Sequence, residues 1–255
     1  MGRKLLAALS TVLILSLALN AFLTIIVLRY QERVRSLEET VHTGGSAASA
    51  SLVGWSWINV VAVSQDNTGV VLRVYAKIEN GSGRVYMATT PKVGIDLQSS
   101  AETAYKVAGE ICHFNVQTHD LFIVVVANFT VDVVDGPSAG AAITVLVASI
   151  MTGRYLNNSV IMTGTIEPDG TIGKVGGIVE KAMAAAQAEA KLFIVPKGQT
   201  TTTIYVEHKT RIGPFVFITR EPQTINIQEY LNNQGYTIKI AEALTIQEAI
   251  NYFFI

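Results

Sequence analysis

Cysteine is almost missing from this chain: Cys112 is alone among 255 residues. One thiol closes no intrachain disulfide, and with only His113 beside it there is no cluster of the kind zinc requires. Charge is scarce as well, at 15% of residues, and 19 basic side chains against 20 acidic ones leave a net charge of −1. Nothing in that balance argues for nucleic acid as a partner. A phosphate loop of the G-x-x-x-x-G-K-[ST] type is also missing. The nearest stretch, Gly170-Thr171-Ile172-Gly173-Lys174-Val175, has other spacing and no Ser or Thr after the lysine. No metal or other cofactor is therefore expected. Histidines are few and dispersed: His42 in a linker, His113 and His119 around a short loop, His208 in a polar stretch. No motif positions any of them as the base of a Ser-His-Asp triad.

Apolar sequence is abundant instead, at 49% of the chain. Leu5 to Leu28 is interrupted only by Ser10, Thr11, Ser16, Asn20 and Thr24. At about 1.5 Å per residue, such a run spans a bilayer core of roughly 30 Å. A cleaved leader is the competing reading, because Ser16-Leu17-Ala18 offers a small-x-small site, but the run continues well past Ala18. We expect residues 1–29 to be an uncleaved transmembrane anchor that makes this a single-pass membrane protein. Arg3 and Lys4 precede the run and Arg29, Arg33 and Arg35 follow it, so the side of the membrane stays undetermined. Residues 30–51 read as a charged stalk helix, with Val34, Leu37 and Val41 at helical spacing, and then a Gly/Ser/Ala linker. The folded domain is expected over residues 52–255.

Within it, Trp57 to Val63, Gly69 to Ile78 and Arg84 to Thr89 read as strands, and Ser99 to Cys112 as a helix. Leu121 to Val134 reads as one or two strands, and Ala139 to Met151 as a buried apolar helix closed by Gly153. Ser159 to Ile166 reads as a strand leading into a helix over Gly176 to Lys191, and Leu192 to Val195 as a short buried strand. Thr200 to Gln223 is polar and is expected to be irregular. Tyr236 to Ala241 is the last expected strand and Thr245 to Phe253 the closing helix. Strands and helices in mixed order predict an α+β (mixed α/β) domain of two or three layers.

The stretch Asp135-Gly136-Pro137-Ser138-Ala139-Gly140 follows an apolar strand-like run and opens the helix-like one. A serine there is raised on a tight turn beside the free N–H groups of a helix start. A hydroxyl nucleophile needs that exposure and those donors. The alternative is a serine that only caps the helix. Downstream, Thr163-Gly164-Thr165-Ile166 opens a second Gly-rich segment that ends in Gly176-Gly177-Ile178-Val179-Glu180-Lys181. At about 100° per residue, Glu180, Ala184, Gln187 and Lys191 share one face, read as solvent, while Lys181 shares another with Ile178, Ala185 and Ala188. Glu189 falls on the apolar side and fits poorly. A lysine on such a face loses hydration, which lowers its pKa and leaves an amine able to take a serine proton. The alternative is a lysine snorkelling from the helix edge.

These two motifs, in this order and at this separation, resemble the proteolytic domain of the Lon protease family. The resemblance extends more loosely from about Leu52 to the C-terminus and includes Pro91-Lys92-Val93-Gly94-Ile95-Asp96-Leu97-Gln98, which is similar to the archaeal and membrane-bound branches. It implies a Lon proteolytic fold, with Ser138 as nucleophile and Lys181 as base. Thr163 falls where the family has a threonine that hydrogen-bonds the lysine. Asp135 falls at an acidic position beside the dyad that orients it or partly blocks it; a turn aspartate bonding its own backbone is the other reading. The resemblance further implies peptide or protein substrates and a homo-oligomeric ring, a hexamer.

The expected activity is that of a membrane-anchored, ATP-independent serine endopeptidase acting on unfolded or flexible substrates. The alternatives are a non-catalytic membrane-tethered scaffold, which would be expected to lose the serine or the lysine, and a subunit served by a separate ATPase. No S-x-x-K follows Ser138, which disfavours other membrane Ser-Lys enzymes. Departures from the family pattern are Thr165, where many members have glutamate, and Glu167-Pro168-Asp169 in place of a more basic stretch.

Overall fold

The computed structural model describes residues 54–255 apart from 89, 130, 213 and 214. The expected anchor, stalk and linker lie outside the described residues. Among the described residues, no helix is long and apolar enough to cross a membrane.

Among the described residues, thirteen strands and five α-helices follow one another. β1 (Ser56–Val63), β2 (Gly69–Asn80), β3 (Val85–Met87), β5 (His119–Val126), β7 (Val160–Met162), β10 (Leu192–Pro196) and β13 (Lys239–Ala243) form one seven-stranded sheet in the order β13-β10-β7-β1-β2-β5-β3. β13, β10, β7 and β1 run parallel to one another, as do β5 and β3, and only β2 is reversed, pairing antiparallel with both β1 and β5. The carboxyl ends of the parallel strands thus gather at one pole. β4 (Lys92–Val93) pairs with β6 (Val133–Val134), and β8 (Thr165–Ile166) with β9 (Ile172–Gly173).

Period-two alternation builds a core on each face of the sheet. Ile58, Val60, Val160, Met162 and Ile194 face one core, with α1 (Ile95–Cys112), α2 (Gly140–Thr152) and α5 (Ile246–Phe253). Val61, Ile161, Phe193 and Val195 face the other, with α3 (Ile178–Gln187) and α4 (Ile227–Asn233). The result is a three-layer α/β/α sandwich. α2 is buried from Gly140 to Ser149, which is why its sequence is apolar on every side. Gly153 ends it in the left-handed conformation (φ 65°), as its sequence predicts.

Several expected boundaries are corrected. The segment expected to be irregular, Thr200 to Gln223, lies within a long hairpin of β11 (Thr201–Ile212) and β12 (Phe215–Asn226), paired from Thr201↔Asn226 to Ile212↔Phe215. Because its outer half faces solvent on both sides, with β12 exposed from Phe215 to Thr224 and β11 from Glu207 to Arg211, little apolar alternation marked it as strand. The run Ser159 to Ile166 is broken after Met162: Thr163 N–H still bonds Ile194 O of β10, but Gly164 N–H turns to Ser138 O. The lysine helix is shorter than Gly176–Lys191: Glu189, the residue that fitted the face poorly, lies beyond it with φ 58°. Ala184 is buried instead of solvent-facing, and Ala188 is exposed past the helix end. α1 starts at Ile95, four residues before the expected Ser99. α4 was not foreseen; Asn226 caps it by accepting from Glu229 N–H at 3.1 Å.

Candidate active site

Ser138 stands in a short 3-10 turn, Pro137–Ala139, that runs directly into α2. The turn is fastened from two sides. Gly164 N–H donates to Ser138 O at 3.0 Å, and Ala141 N–H donates back to Gly164 O at 3.1 Å. Thr163, 1% exposed, adds a hydroxyl bond to the same Ser138 carbonyl at 3.2 Å. The end of β7 therefore holds the serine turn through its carbonyl and leaves the side chain half-buried at the sheet's carboxyl pole.

Lys181 lies in the first turn of α3, only 5% exposed, with Ile178 and Ala185 on its side of the helix. Burial brings its pKa down from 10.5 to about 8, and the neighbouring Glu180 carboxylate opposes the fall. The helix is seated by a close approach. The backbone of Gly69, where β2 begins, rests on Glu180 O, and a Cβ there would come within 1.8 Å of that oxygen.

Ser138, Lys181 and Asp135 line a single open cavity of about 480 Å³, together with Ala62, Val63, Asn67, Pro137, Thr165, the segment Lys174 to Gly177, and Glu180. Thr163 sits behind it. Among the described residues, Lys181 Nζ and Ser138 Oγ make no hydrogen bond, so both face open space. Two expectations change. Thr163 gives its proton to the Ser138 carbonyl, not to the lysine. Asp135 does bond its own turn, accepting from Gly136 N–H at 2.8 Å, and it also accepts from Leu97 N–H at 3.2 Å. Gly94, at the start of α1, has no capping side chain; the Asp135 carboxylate supplies the cap from across the domain.

One wall residue is secured by a side chain that sequence reasoning passed over. Gln199 grips Val175 at both ends of its amide: Val175 N–H donates to Oε1 at 2.9 Å and Nε2 donates to Val175 O at 2.8 Å. This clamp holds the segment that enters the lysine helix. Nothing local in the sequence signals it, since the partners are 24 residues apart. Among the described residues there is no cluster of three or more His, Cys, Asp or Glu able to hold a metal ion.

Fold and cavity together define a three-layer α/β domain that brings a turn-borne serine and a desolvated lysine to one opening. The model of the Lon protease (S16) C-terminal proteolytic domain matches residues 37–212, more than half of the chain, and the chain belongs to that family. Relatives include a Lon protease of Wolbachia pipientis subsp. Culex pipiens, 31% identical over 161 residues, covering 61% of this chain and 19% of the relative. A Lon protease of Orientia tsutsugamushi is 36% identical over 141 residues (52% of this chain, 17% of the relative). Lon protease 2 of Syntrophobacter fumaroxidans is 52% identical over 62 residues (24% and 8%). The chain thus spans less than a fifth of the length of these curated relatives.

Proposed function

We propose that this protein is a serine endopeptidase with a Ser138–Lys181 dyad, tethered to a membrane by Leu5 to Leu28 and working without ATP on unfolded or flexible polypeptides. The observation that carries the proposal is the shared cavity, in which a lysine with a pKa of about 8 opens beside an unbonded serine hydroxyl. At pH 7 about a tenth of such a lysine is neutral, against about one part in three thousand at a pKa of 10.5.

In this mechanism neutral Lys181 takes the Ser138 proton as Oγ bonds to the scissile carbonyl carbon. Backbone N–H groups of the serine turn receive the developing oxyanion. Collapse breaks the C–N bond, and the Lys181 ammonium returns its proton to the departing amine. Water then attacks the ester, giving one proton to Lys181, which passes it to Oγ as the acid leaves. Thr163 acts through the backbone: its bond to Ser138 O keeps the turn in register with the lysine helix. The apolar run supports the tether, and a homo-oligomeric ring rests on family membership alone.

The test is incubation of residues 52–255 with an unfolded protein in the absence of ATP, using wild type, Ser138→Ala and Lys181→Ala. Cleavage by wild type alone is expected, with kcat/KM rising with pH through about 8. Equal cleavage by all three proteins, or by none, refutes the proposal.

A further inference from the structure

Among the described residues, β11 and β12, twelve residues each, form a sheet of their own with only two members. Every residue of β12 from Phe215 to Thr224 is exposed. Four apolar ones are consecutive: Phe215, Val216, Phe217 and Ile218, each more than half exposed. Strand alternation puts Phe215 and Phe217 on one face and Val216 and Ile218 on the other. The edge of β11 is guarded near its tip by Glu207, His208, Lys209 and Arg211, the usual protection of an unpaired strand. β12 has no charge before Arg220, and that guanidinium is bound to Glu207 at 2.8 Å. From Phe215 to Thr219 the molecule therefore presents an unguarded strand edge with apolar side chains on both faces. A lone two-stranded sheet of this kind is marginal in water unless something adds to it.

The root of the hairpin indicates what that is. The chain leaves β10 at the carboxyl pole of the sheet, where Gly198 N–H and the Thr200 hydroxyl bond the Glu242 carboxylate at 3.0 and 2.9 Å. Between them, Gln199 clamps Val175, a wall of the Ser138–Lys181 cavity. The exposed edge is thus continuous, through its root, with the candidate active site, although no hairpin residue lines the cavity.

We infer that the β12 edge from Phe215 to Thr219 captures an extended apolar segment of an unfolded polypeptide as an added strand and holds it for cleavage at Ser138. This rests on the protease reading. Phe217 pairs with Thr210, nine residues along β11 from Thr201, which at about 3.4 Å per residue is about 30 Å from the root. A substrate held at the tip needs about nine extended residues to reach the root, so short peptides gain nothing from the edge.

The experiment uses the full chain in nanodiscs of zwitterionic lipid, with β-casein and a chromogenic tripeptide as substrates. Phe215→Ser/Phe217→Ser and, separately, Val216→Lys/Ile218→Lys are expected to raise KM for β-casein at least fivefold with kcat unchanged, and to leave tripeptide kinetics within twofold. Binding of labelled β-casein is read in parallel in a Ser138→Ala background, where the same variants are expected to weaken Kd at least fivefold. Unchanged KM and Kd in both variants overturn the inference. So does loss only of anionic-vesicle binding, or only of self-association, with casein affinity intact. Casein affinity that falls in the variants while wild type cleaves neither substrate supports the capture edge and refutes the protease reading instead.

Discussion

Lys181→Met should make the protein more stable while abolishing its activity. Methionine has similar length and no charge to desolvate. The fall in the lysine pKa from 10.5 to about 8, at about 1.4 kcal/mol per tenfold change in proton affinity, amounts to about 3 kcal/mol. Water at the open mouth of the cavity reduces this toward about 2 kcal/mol. The sign follows from where protons reside. Between pH 8 and 10.5 the unfolded lysine holds its proton and the folded one has released it, so stability rises with pH over that interval. Below about pH 8 the penalty of burying the ammonium is present in full; above about 10.5 it is gone. The methionine variant should therefore gain most at pH 7, with Tm about 5–10 °C higher for a domain of about 200 residues, and the gain should fade toward pH 10.5. Urea denaturation of residues 52–255, wild type and variant, at pH 7, 9 and 10.5 measures this. The repacking contribution of the thioether is independent of pH, so the slope decides. A stability difference that stays constant across the series refutes a desolvated lysine, and with it the base assigned to the dyad.

Asp135→Ala removes the cap that α1 receives from another segment and should cost about 1–2 kcal/mol, read as a lower urea midpoint; Asp135→Asn, which keeps an acceptor oxygen, should recover most of it. Thr163→Val leaves Ser138 O with its bond from Gly164 N–H, so stability should fall by only about 1 kcal/mol while kcat falls about 10–100-fold through misplacement of the turn. Gly69→Ala pushes a methyl group into Glu180 O and should displace the lysine helix, lowering stability by more than about 2 kcal/mol; a melting curve matching wild type would show that α3 is free to shift.

The candidate site residues were legible in contiguous motifs, because the local conformation that presents them is written in neighbouring residues, while the roles proposed for them came from the family resemblance. A Gly-Pro turn exposes a serine wherever it opens a helix, and a 3.6-residue period places Lys181 among alanines whatever the helix packs against. The buried character of α2, its glycine stop at Gly153 and most sheet strands followed for the same reason: local pattern and burial agree. Tertiary structure decided what depends on partners far apart in the chain. Thr163 spends its proton on a carbonyl 25 residues away, Asp135 caps a helix 38 residues upstream, and Gln199 grips a loop 24 residues before it. No local signal encodes these bonds, because each is made only when separate segments meet at the sheet's carboxyl pole. The hairpin of β11 and β12 was hidden for the opposite reason. β12 is exposed from Phe215 to Thr224 and β11 from Glu207 to Arg211, so burial wrote little alternation into the outer half of the hairpin, and the pairing of the two strands reveals it.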